Sequence, residues 1–214
     1  MRKPNKAKKI MIVDDVPDIV DMVKHILRSK GYETMEATGG KECLEKIREE
    51  KPDLILLDLM MKPMDGWQTL EAIKSEEELE SIPVTVLSVV LLTPEILEGK
   101  PIDDIEGYIL KPFSKDDLID EIEEIFRRQD TITHVTDLLL EKVGKNEAEE
   151  YERMAKVFNR HRKLIRVLEE STKNELVESE SIENVKKSQE RMIGIAKKRM
   201  SEIEEKIETV VELS

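Results

Sequence analysis

Five side chains that could carry out chemistry each stand where a short apolar run ends: Asp14, Asp15, Asp58, Ser88 and Lys111. Carboxylates that are gathered without a cation repel one another, and a hard divalent ion such as Mg²⁺ would relieve that repulsion by binding their oxygens. An ammonium group and a hydroxyl group add donors for the oxygens of a phosphoryl group. This set predicts a site in which Asp58 is the nucleophile and forms an aspartyl phosphate.

The elements that must bring these side chains together alternate between strands and helices. The spacing of apolar residues predicts strands over 10–13, 32–37, 54–57, 84–87 and 108–110, and helices over 17–30, 40–50, 66–75 and 115–128. Strands that are apolar throughout and alternate with helices predict an α/β fold with a parallel sheet covered on both faces. We expect five strands in the doubly wound, flavodoxin-like order 2-1-3-4-5, whose carboxyl ends share the edge that holds the ligand site.

Residues that begin or end helices agree with these boundaries. Pro17 suits the first turn of a helix, and Gly31 follows Lys30 as a stop signal. Ser114 with Asp117 three residues later resembles a capping box at the start of the last helix of this region.

From residue 131 the sequence predicts helices only. A short helix over 132–142 would end at Gly144, a long one would run from Asn146 to about 177, and a second long one would run from Ser179 or Ser181 almost to the end. Apolar residues recur at steps of three and four in both long helices, as in coiled coils. We therefore predict a helical hairpin or coiled coil that packs on itself or on a second copy.

Four stretches of the sequence together resemble the response-regulator receiver domains of two-component signalling. They are residues 12–15 (IVDD), 56–67 (LLDLMMKPMDGW), 82–84 (IPV) and 107–113 (GYILKPF). The resemblance covers residues 9–127, somewhat over half of the chain.

The resemblance implies roles for individual residues. Asp15, Asp58 and the backbone carbonyl of Met60 would coordinate Mg²⁺, with Asp14 acting through water. Lys111 would bind the phosphoryl oxygens, and Ser88 and Tyr108 would form the switch pair that responds to phosphorylation. The phosphodonor would be a phosphohistidine on a sensor histidine kinase.

Some positions depart from the family pattern. Lys62 and Pro63 stand where the family usually has a proline and then a small residue, and Val89 replaces the small residue that usually follows the switch hydroxyl. Met60 and Val90 would flank the phosphoryl site with side chains that cannot orient an attacking water, which predicts slow hydrolysis of the phosphoryl group. The segment from Thr93 to Pro101 allows only a short helix between the last two strands.

Charge and composition exclude several classes of function. The net charge is −13, and residues 1–130 carry 19 Lys and Arg against 30 Asp and Glu, which argues against nucleic acid as the main partner. Cys43 is the single cysteine, which excludes an internal disulfide and favours a reducing compartment. We expect it to be an inert, partly buried helix residue. No apolar run reaches the length of a membrane span, so we expect a soluble, cytoplasmic protein without membrane contact.

These features predict a basic tail over 1–9, a receiver domain over 10–128, and a helical hairpin or coiled-coil region over 129–214. The predicted function is a two-component response regulator, not an enzyme beyond self-catalysed phosphoacceptance and slow autodephosphorylation. Output would come from homodimerisation or from docking a helical protein partner through residues 145–212. A phosphorelay intermediate and a DNA-binding regulator are the alternatives.

The sequence gives little support to two other kinds of chemistry. A haloacid-dehalogenase-type hydrolase needs a second aspartate two residues after the nucleophile, and that position is Met60. Phosphorelay chemistry on a histidine of the helical region would fall on His161, but that residue lies on the apolar stripe and is followed by Arg162. His161 is better explained as a histidine packed between helices.

Overall fold

The computed structural model of the chain describes residues 7–90, 101, 104–173 and 180–212. These residues form two compact units, the first holding the described residues up to Glu121 and the second those from Ile122 onward. The domain bounds expected from the sequence stay a prediction. The basic tail falls mostly, and the short helix between the last two strands almost entirely, outside the described residues.

A five-stranded parallel sheet forms the centre of the first unit. Its strands are β1 (Lys9–Val13), β2 (Glu33–Ala37), β3 (Leu54–Leu57), β4 (Val84–Ser88) and β5 (Gly107–Leu110). Their order is β2-β1-β3-β4-β5, and every neighbouring pair is parallel. The predicted doubly wound, flavodoxin-like fold is therefore confirmed, with each strand within one residue of its predicted bounds.

The burial of each strand explains its pattern of apolar and polar residues in the sequence. All residues of β3 and β4 are buried, which favours apolar side chains on both faces of the sheet. Strand β2 lies at the edge, and its exposed Glu33 and Glu36 alternate with residues that are more buried. The interior of the sheet can thus be recognised from continuous apolar runs, while its edge cannot.

Three helices of the first unit flank the sheet: α1 (Pro17–Ser29), α2 (Gly40–Glu49) and α3 (Gly66–Ser75). Pro17 occupies the first turn of α1, and Gly31 after its end adopts a left-handed backbone conformation (φ +86°), both as predicted. Asp65 caps α3 by accepting a hydrogen bond from the Gln68 N–H, and the Gln68 side chain accepts one from the Asp65 N–H in return. These caps fix where each helix begins or ends.

Helix α4 (Lys115–Lys142) is longer than the sequence predicted. The predicted capping contacts between Ser114 and Asp117 are present, but the expected break between residues 128 and 132 is wrong. Residues 129–131 contain neither proline nor glycine, and the Thr131 hydroxyl donates to the Arg127 carbonyl oxygen (2.8 Å) instead of interrupting the helix.

The second unit continues with α5 (Lys145–Lys173) and α6 (Glu180–Glu212), which pack against each other. Its core contains Leu139 of α4, Ala148 and Tyr151 of α5, and Ile203 of α6, so three helices meet where a two-helix hairpin was predicted. The buried Tyr151 hydroxyl donates to Glu204 (2.8 Å), and Arg199 forms two contacts with Glu150 (2.6 and 3.0 Å). These polar contacts set the register of α5 against α6.

None of the helices in the described ranges combines enough length with enough apolar character to cross a lipid bilayer.

Candidate functional site

The residues predicted to do chemistry meet at the carboxyl edge of the sheet. Asp14 follows β1, Asp58 follows β3, Ser88 ends β4 and Lys111 follows β5. Strand register places Val13 beside Leu57, Leu57 beside Val86, and Ser88 beside Leu110. Strand ends that are distant in sequence therefore become neighbours because parallel strands expose their carboxyl ends on one edge.

The Lys111 ammonium group bridges two carboxylates. Its Nζ lies 2.5 Å from Asp14 Oδ2 and 3.0 Å from Asp58 Oδ1. Asp14 and Asp58 are buried, and the Lys111 side chain is mostly buried as well. Charges held away from water need charged or hydrogen-bonding partners, and these three supply one another. The arrangement keeps the Lys111 side chain in direct contact with both carboxyl groups.

Backbone groups fix the orientation of both carboxylates. The Met60 N–H donates to Asp58 Oδ2 (2.8 Å), and the Val16 N–H donates to Asp14 Oδ1 (2.9 Å). The Asp58 N–H itself donates to the Val13 carbonyl oxygen (2.9 Å), which ties the end of β3 to the end of β1. One oxygen of each carboxylate thus accepts from the backbone, and the other contacts Lys111.

Three carboxylates of this edge form a donor set for a metal ion. Asp14, Asp15 and Asp58 each offer one oxygen, and these oxygens lie within 4.8 Å of one another. Asp15 is exposed, so the set opens toward solvent on one side. Carboxylate oxygens with room for water fit a hard, octahedral cation such as Mg²⁺ better than a thiophilic metal.

Gly66, at the start of α3, packs directly on the loop that begins at Asp58. Its N–H donates to the Leu59 carbonyl oxygen (3.1 Å), and a Cβ atom placed on it would lie 2.2 Å from the Asp58 carbonyl oxygen. Only glycine allows this approach of α3 to the loop. No role for Gly66 was predicted from the sequence, although a glycine directly after a helix-capping aspartate was a usable signal.

Ser88 and Tyr108 lie on neighbouring strands below the same edge. Ser88 is fully buried, and its Oγ accepts a long hydrogen bond from the Val90 N–H (3.4 Å). The buried Tyr108 ring places its hydroxyl so that it donates to the Val90 carbonyl oxygen. Both side chains are therefore linked to the same short segment after β4.

The positions that depart from the family pattern lie around the rim of the site at the carboxyl edge of the sheet. Met60 and Val89 are each 62% exposed, so neither packs into the protein. Lys62 and Pro63 are joined by a cis peptide bond. The role predicted for the Met60 carbonyl stays a prediction.

Comparison with known proteins follows the same division of the chain. The family model described as "Response regulator receiver domain" matches residues 10–123, which is more than half of the sequence. The chain belongs to the response-regulator receiver family. Receiver domains of two-component systems take a phosphoryl group from histidine kinases and bind Mg²⁺ in an acidic pocket. The family match does not extend over the C-terminal helices.

Curated relatives share the receiver half only. The probable transcriptional regulator ycf27 of Pyropia yezoensis is 34% identical over 129 residues, covering 60% of this chain and 51% of that protein. The DNA-binding response regulator MtrA of Mycolicibacterium smegmatis is 28% identical over 123 residues, covering 58% and 52%. The chain spans about half the length of the curated relatives it matches.

Solved structures agree. The CheY-like response regulator receiver domain protein of Methanospirillum hungatei is 29% identical, with a TM-score of 0.54. The match covers 59% of this chain and 98% of that protein. The signal receiver domain of a histidine kinase from Syntrophus aciditrophicus is 29% identical with a TM-score of 0.51, covering 56% and 89%.

Proposed function

We propose that this chain is a two-component response regulator whose Asp58 accepts a phosphoryl group from a phosphohistidine of a sensor histidine kinase. The main support for this proposal is the position of the Lys111 ammonium group, which lies between Asp14 and Asp58 at the open edge of the sheet. A carboxylate oxygen of Asp58 would attack phosphorus, the bond from phosphorus to the donor imidazole would break, and the imidazole would leave. The resulting acyl phosphate remains on this protein, which therefore acts as a switch and not as a turnover enzyme.

Lys111 would guide the transfer. Its ammonium group contacts Asp58 in the resting site, so a short rotation of the side chain suffices to reach a phosphoryl oxygen on that carboxylate. Asp14 provides the second contact that keeps the ammonium group at this position before transfer. Positioning and charge neutralisation of this kind supply most of the rate enhancement in phosphoryl transfer.

Mg²⁺ is the proposed cofactor. Asp15 and Asp58 would hold it together with the Met60 carbonyl oxygen, and Asp14 would contact it through water. When bound, the ion would neutralise negative charge that develops on the phosphoryl oxygens. The support is the set of three carboxylate oxygens within 4.8 Å, which has the donor type that Mg²⁺ prefers.

Ser88 and Tyr108 are the proposed switch pair. The Ser88 hydroxyl would turn from the Val90 N–H toward a phosphoryl oxygen, and the segment after β4 would follow. Tyr108 would respond because its hydroxyl is bonded to the carbonyl of the same Val90. Phosphorylation would then shift the population of two arrangements of this segment.

The phosphoacceptor proposal is tested with acetyl phosphate as a small donor and Mg²⁺ in the buffer. We expect a mass gain of one phosphoryl group, located on the peptide that contains Asp58, and no gain after chelation of the metal. Asp58→Asn is the matched control, because it keeps the shape of the side chain and removes the nucleophile. Equal labelling of the wild type and Asp58→Asn would refute the proposal.

The proposed output is helical. We propose that residues 145–212 act by homodimerisation or by docking a helical partner, because α5 and α6 are long, amphipathic and joined by polar contacts that fix their register. Static light scattering with and without beryllofluoride, a phosphoryl mimic, would measure the change in mass. An identical mass and identical partner binding in both states would refute this part.

A DNA-binding output remains the second candidate because the MtrA relative carries that description in its name. The similarity to them covers the receiver half, and in this chain the described C-terminal residues form three long helices in place of a compact recognition unit. A gel shift with specific, salt-sensitive binding would favour this candidate over the helical output.

A further inference from the structure

The second unit carries a basic band in the middle of its two longest helices. Residues 153–166 of α5 and 184–199 of α6 together contain twelve Lys and Arg and a single Glu, a net charge of +11. The two segments lie side by side because His161 of α5 contacts Gln189 of α6, and Glu150 contacts Arg199. Acidic residues flank the band on both sides, so the net charge of the whole C-terminal region is close to neutral and does not reveal the band.

Within the band, α6 exposes an apolar stripe. Val185, Met192 and Ile195 follow one another at steps of seven and three residues, so they lie on one face of the helix. Ile195 is 53% exposed, and Met192 and the preceding Val185 are also exposed. Large apolar side chains that share one exposed helix face indicate a surface for another molecule.

A basic stripe runs beside the apolar one. Lys187, Arg191 and Lys198 are exposed at steps of four and seven residues. Lys187 and Lys198 contact Glu183 and Glu202 at 3.9 and 4.0 Å, and exposed ion pairs at such distances contribute little. These ammonium and guanidinium groups therefore remain available to an acidic partner.

Gly194 lies in the same stripe, between Arg191 and Lys198. A Cβ atom on Gly194 would have no described atom within 4 Å, so packing of the described chain does not require glycine there. Glycine in a helix interior is destabilising compared with alanine, and it also permits close approach of another backbone. Close approach of a docked partner helix would explain why glycine stands at this position.

We propose that this face of α6, defined by Lys187, Arg191, Met192, Ile195 and Lys198, docks an acidic amphipathic helix of a partner protein. An apolar stripe one seam wide matches one helix, and basic residues beside it select acidic residues at the flanking positions of the partner. This inference rests on the proposed output role of residues 145–212 and adds the face and the chemistry of the partner.

Other occupants fit the same face less well. A second copy of α6 would place basic band against basic band in either orientation, with Lys187 facing Lys187 or Lys197, and like charges repel. Nucleic acid would satisfy the charges but leave Met192 and Ile195 without apolar contacts. A lipid surface requires a broader apolar face than three side chains provide.

The test measures binding of synthetic peptides to the full-length chain by fluorescence anisotropy. One peptide, about four heptads long, carries Leu at its core positions and Glu at the flanking positions, and its counterpart carries Lys in place of Glu. We expect the wild type to bind the acidic peptide, and K187E/R191E/K198E to bind it at least about ten-fold more weakly. The same variant should gain binding of the Lys peptide. K30E/K41E/K51E reverses three exposed lysines of the first unit and should bind as the wild type does.

Several results would overturn the inference. These are no binding of the acidic peptide by the wild type, equal binding by K187E/R191E/K198E, or loss of the same magnitude in the control variant. Tighter, band-dependent binding of duplex DNA or of phosphatidylserine vesicles, or band-dependent self-association, would overturn the class of partner. Labelling of Asp58 is measured in parallel, so that failure of the phosphoacceptor proposal is seen separately from failure of peptide docking.

Discussion

Lys111 shows how the individual residues of the site constrain one another. Its ammonium group is mostly buried and contacts two buried carboxylates, each of which also accepts a backbone N–H. Removing one member of a buried charged set leaves the others without compensation, which costs more than the net contribution of the set. The site therefore fixes the orientation of the Asp58 carboxylate.

Gly66 is the residue for which the structure predicts the sharpest effect. In Gly66→Ala the new methyl group would lie about as close to the Asp58 carbonyl oxygen as the 2.2 Å built for a Cβ, so α3 or the loop must shift. We expect a loss of stability of about 1–3 kcal/mol and slower phosphorylation by acetyl phosphate. Gly39→Ala is the control, since a Cβ there meets nothing within 4 Å and its φ of 175° suits any residue. Equal behaviour of both variants would contradict the packing argument.

Met60 leads to a prediction about the lifetime of the phosphoryl group. Its side chain lies two residues after Asp58, is 62% exposed and cannot orient water by hydrogen bonding. We expect the acyl phosphate to persist well beyond seconds, and we expect Met60→Asn to shorten its lifetime. Loss of the label is followed by mass spectrometry after removal of the donor, with Met60→Leu as the apolar control. Hydrolysis of the wild type within seconds would contradict this expectation.

Among the elements, α2 and α3 show how local contacts position the site. The reciprocal contacts of Asp65 and Gln68 define the first turn of α3, which places Gly66 against the loop that begins at Asp58. At α2, Glu42 accepts hydrogen bonds from the backbone N–H and the hydroxyl of Thr38 (both 2.8 Å) and from Lys46 (2.6 Å). Both helix starts are therefore fixed by side chains that are close in sequence.

Glu42 also gives a prediction about pH. The hydrogen bond from Lys46, followed by that from the Thr38 N–H, lowers the pKa of Glu42 to about 2. Since the folded-state pKa lies below the unfolded value, the stabilisation is complete above about pH 4.5 and is lost as the pH falls toward 2. We expect Glu42→Gln to be slightly less stable than the wild type at neutral pH, with the difference vanishing in acid. Urea denaturation across this range measures it, and a difference that does not change with pH would contradict the assignment.

At the scale of the whole molecule, charge and helix length divide the chain. Residues 1–130 carry most of the net negative charge, while the second unit separates its charges into a basic band and acidic flanks. Helix α4 is continuous from Lys115 to Lys142, and its residues belong to the first unit up to Glu121 and to the second unit thereafter. A continuous helix is the simplest mechanical link between phosphorylation and the proposed helical output.

That link predicts the effect of breaking α4. Gln129→Pro removes a helical hydrogen bond and introduces a steric clash, at a local cost of about 3 kcal/mol or more. We expect Asp58 to remain phosphorylatable, while the effect of beryllofluoride on mass or on peptide binding is lost. Gln129→Ala is the control and should behave as the wild type. An unchanged response in Gln129→Pro, with a folded first unit confirmed by circular dichroism, would show that α4 does not carry the signal.

Much of the first unit could be predicted because its signals are local. Strands buried on both faces are largely apolar, and residues such as Pro17, Gly31 and Ser114 mark helix ends through backbone geometry and hydrogen bonds with near neighbours. Parallel topology then brings Asp14, Asp58 and Lys111 to one edge without any knowledge of distances. The contact between Lys111 and Asp14, 97 positions apart, needs in addition a side chain long enough to reach past β3 and β4, which separate β5 from β1 in the sheet.

Only the tertiary structure decided the rest, because those features depend on atoms that are distant in sequence. The need for glycine at position 66 arises from the approach of α3 to the Asp58 carbonyl, and no local pattern encodes that distance. The packing of Leu139 of α4 with Tyr151 and Ile203 depends on helices that are distant in sequence, and no local pattern specifies it. The basic band, too, is formed only once α5 and α6 lie side by side, since its two halves are separated in the sequence by an acidic segment.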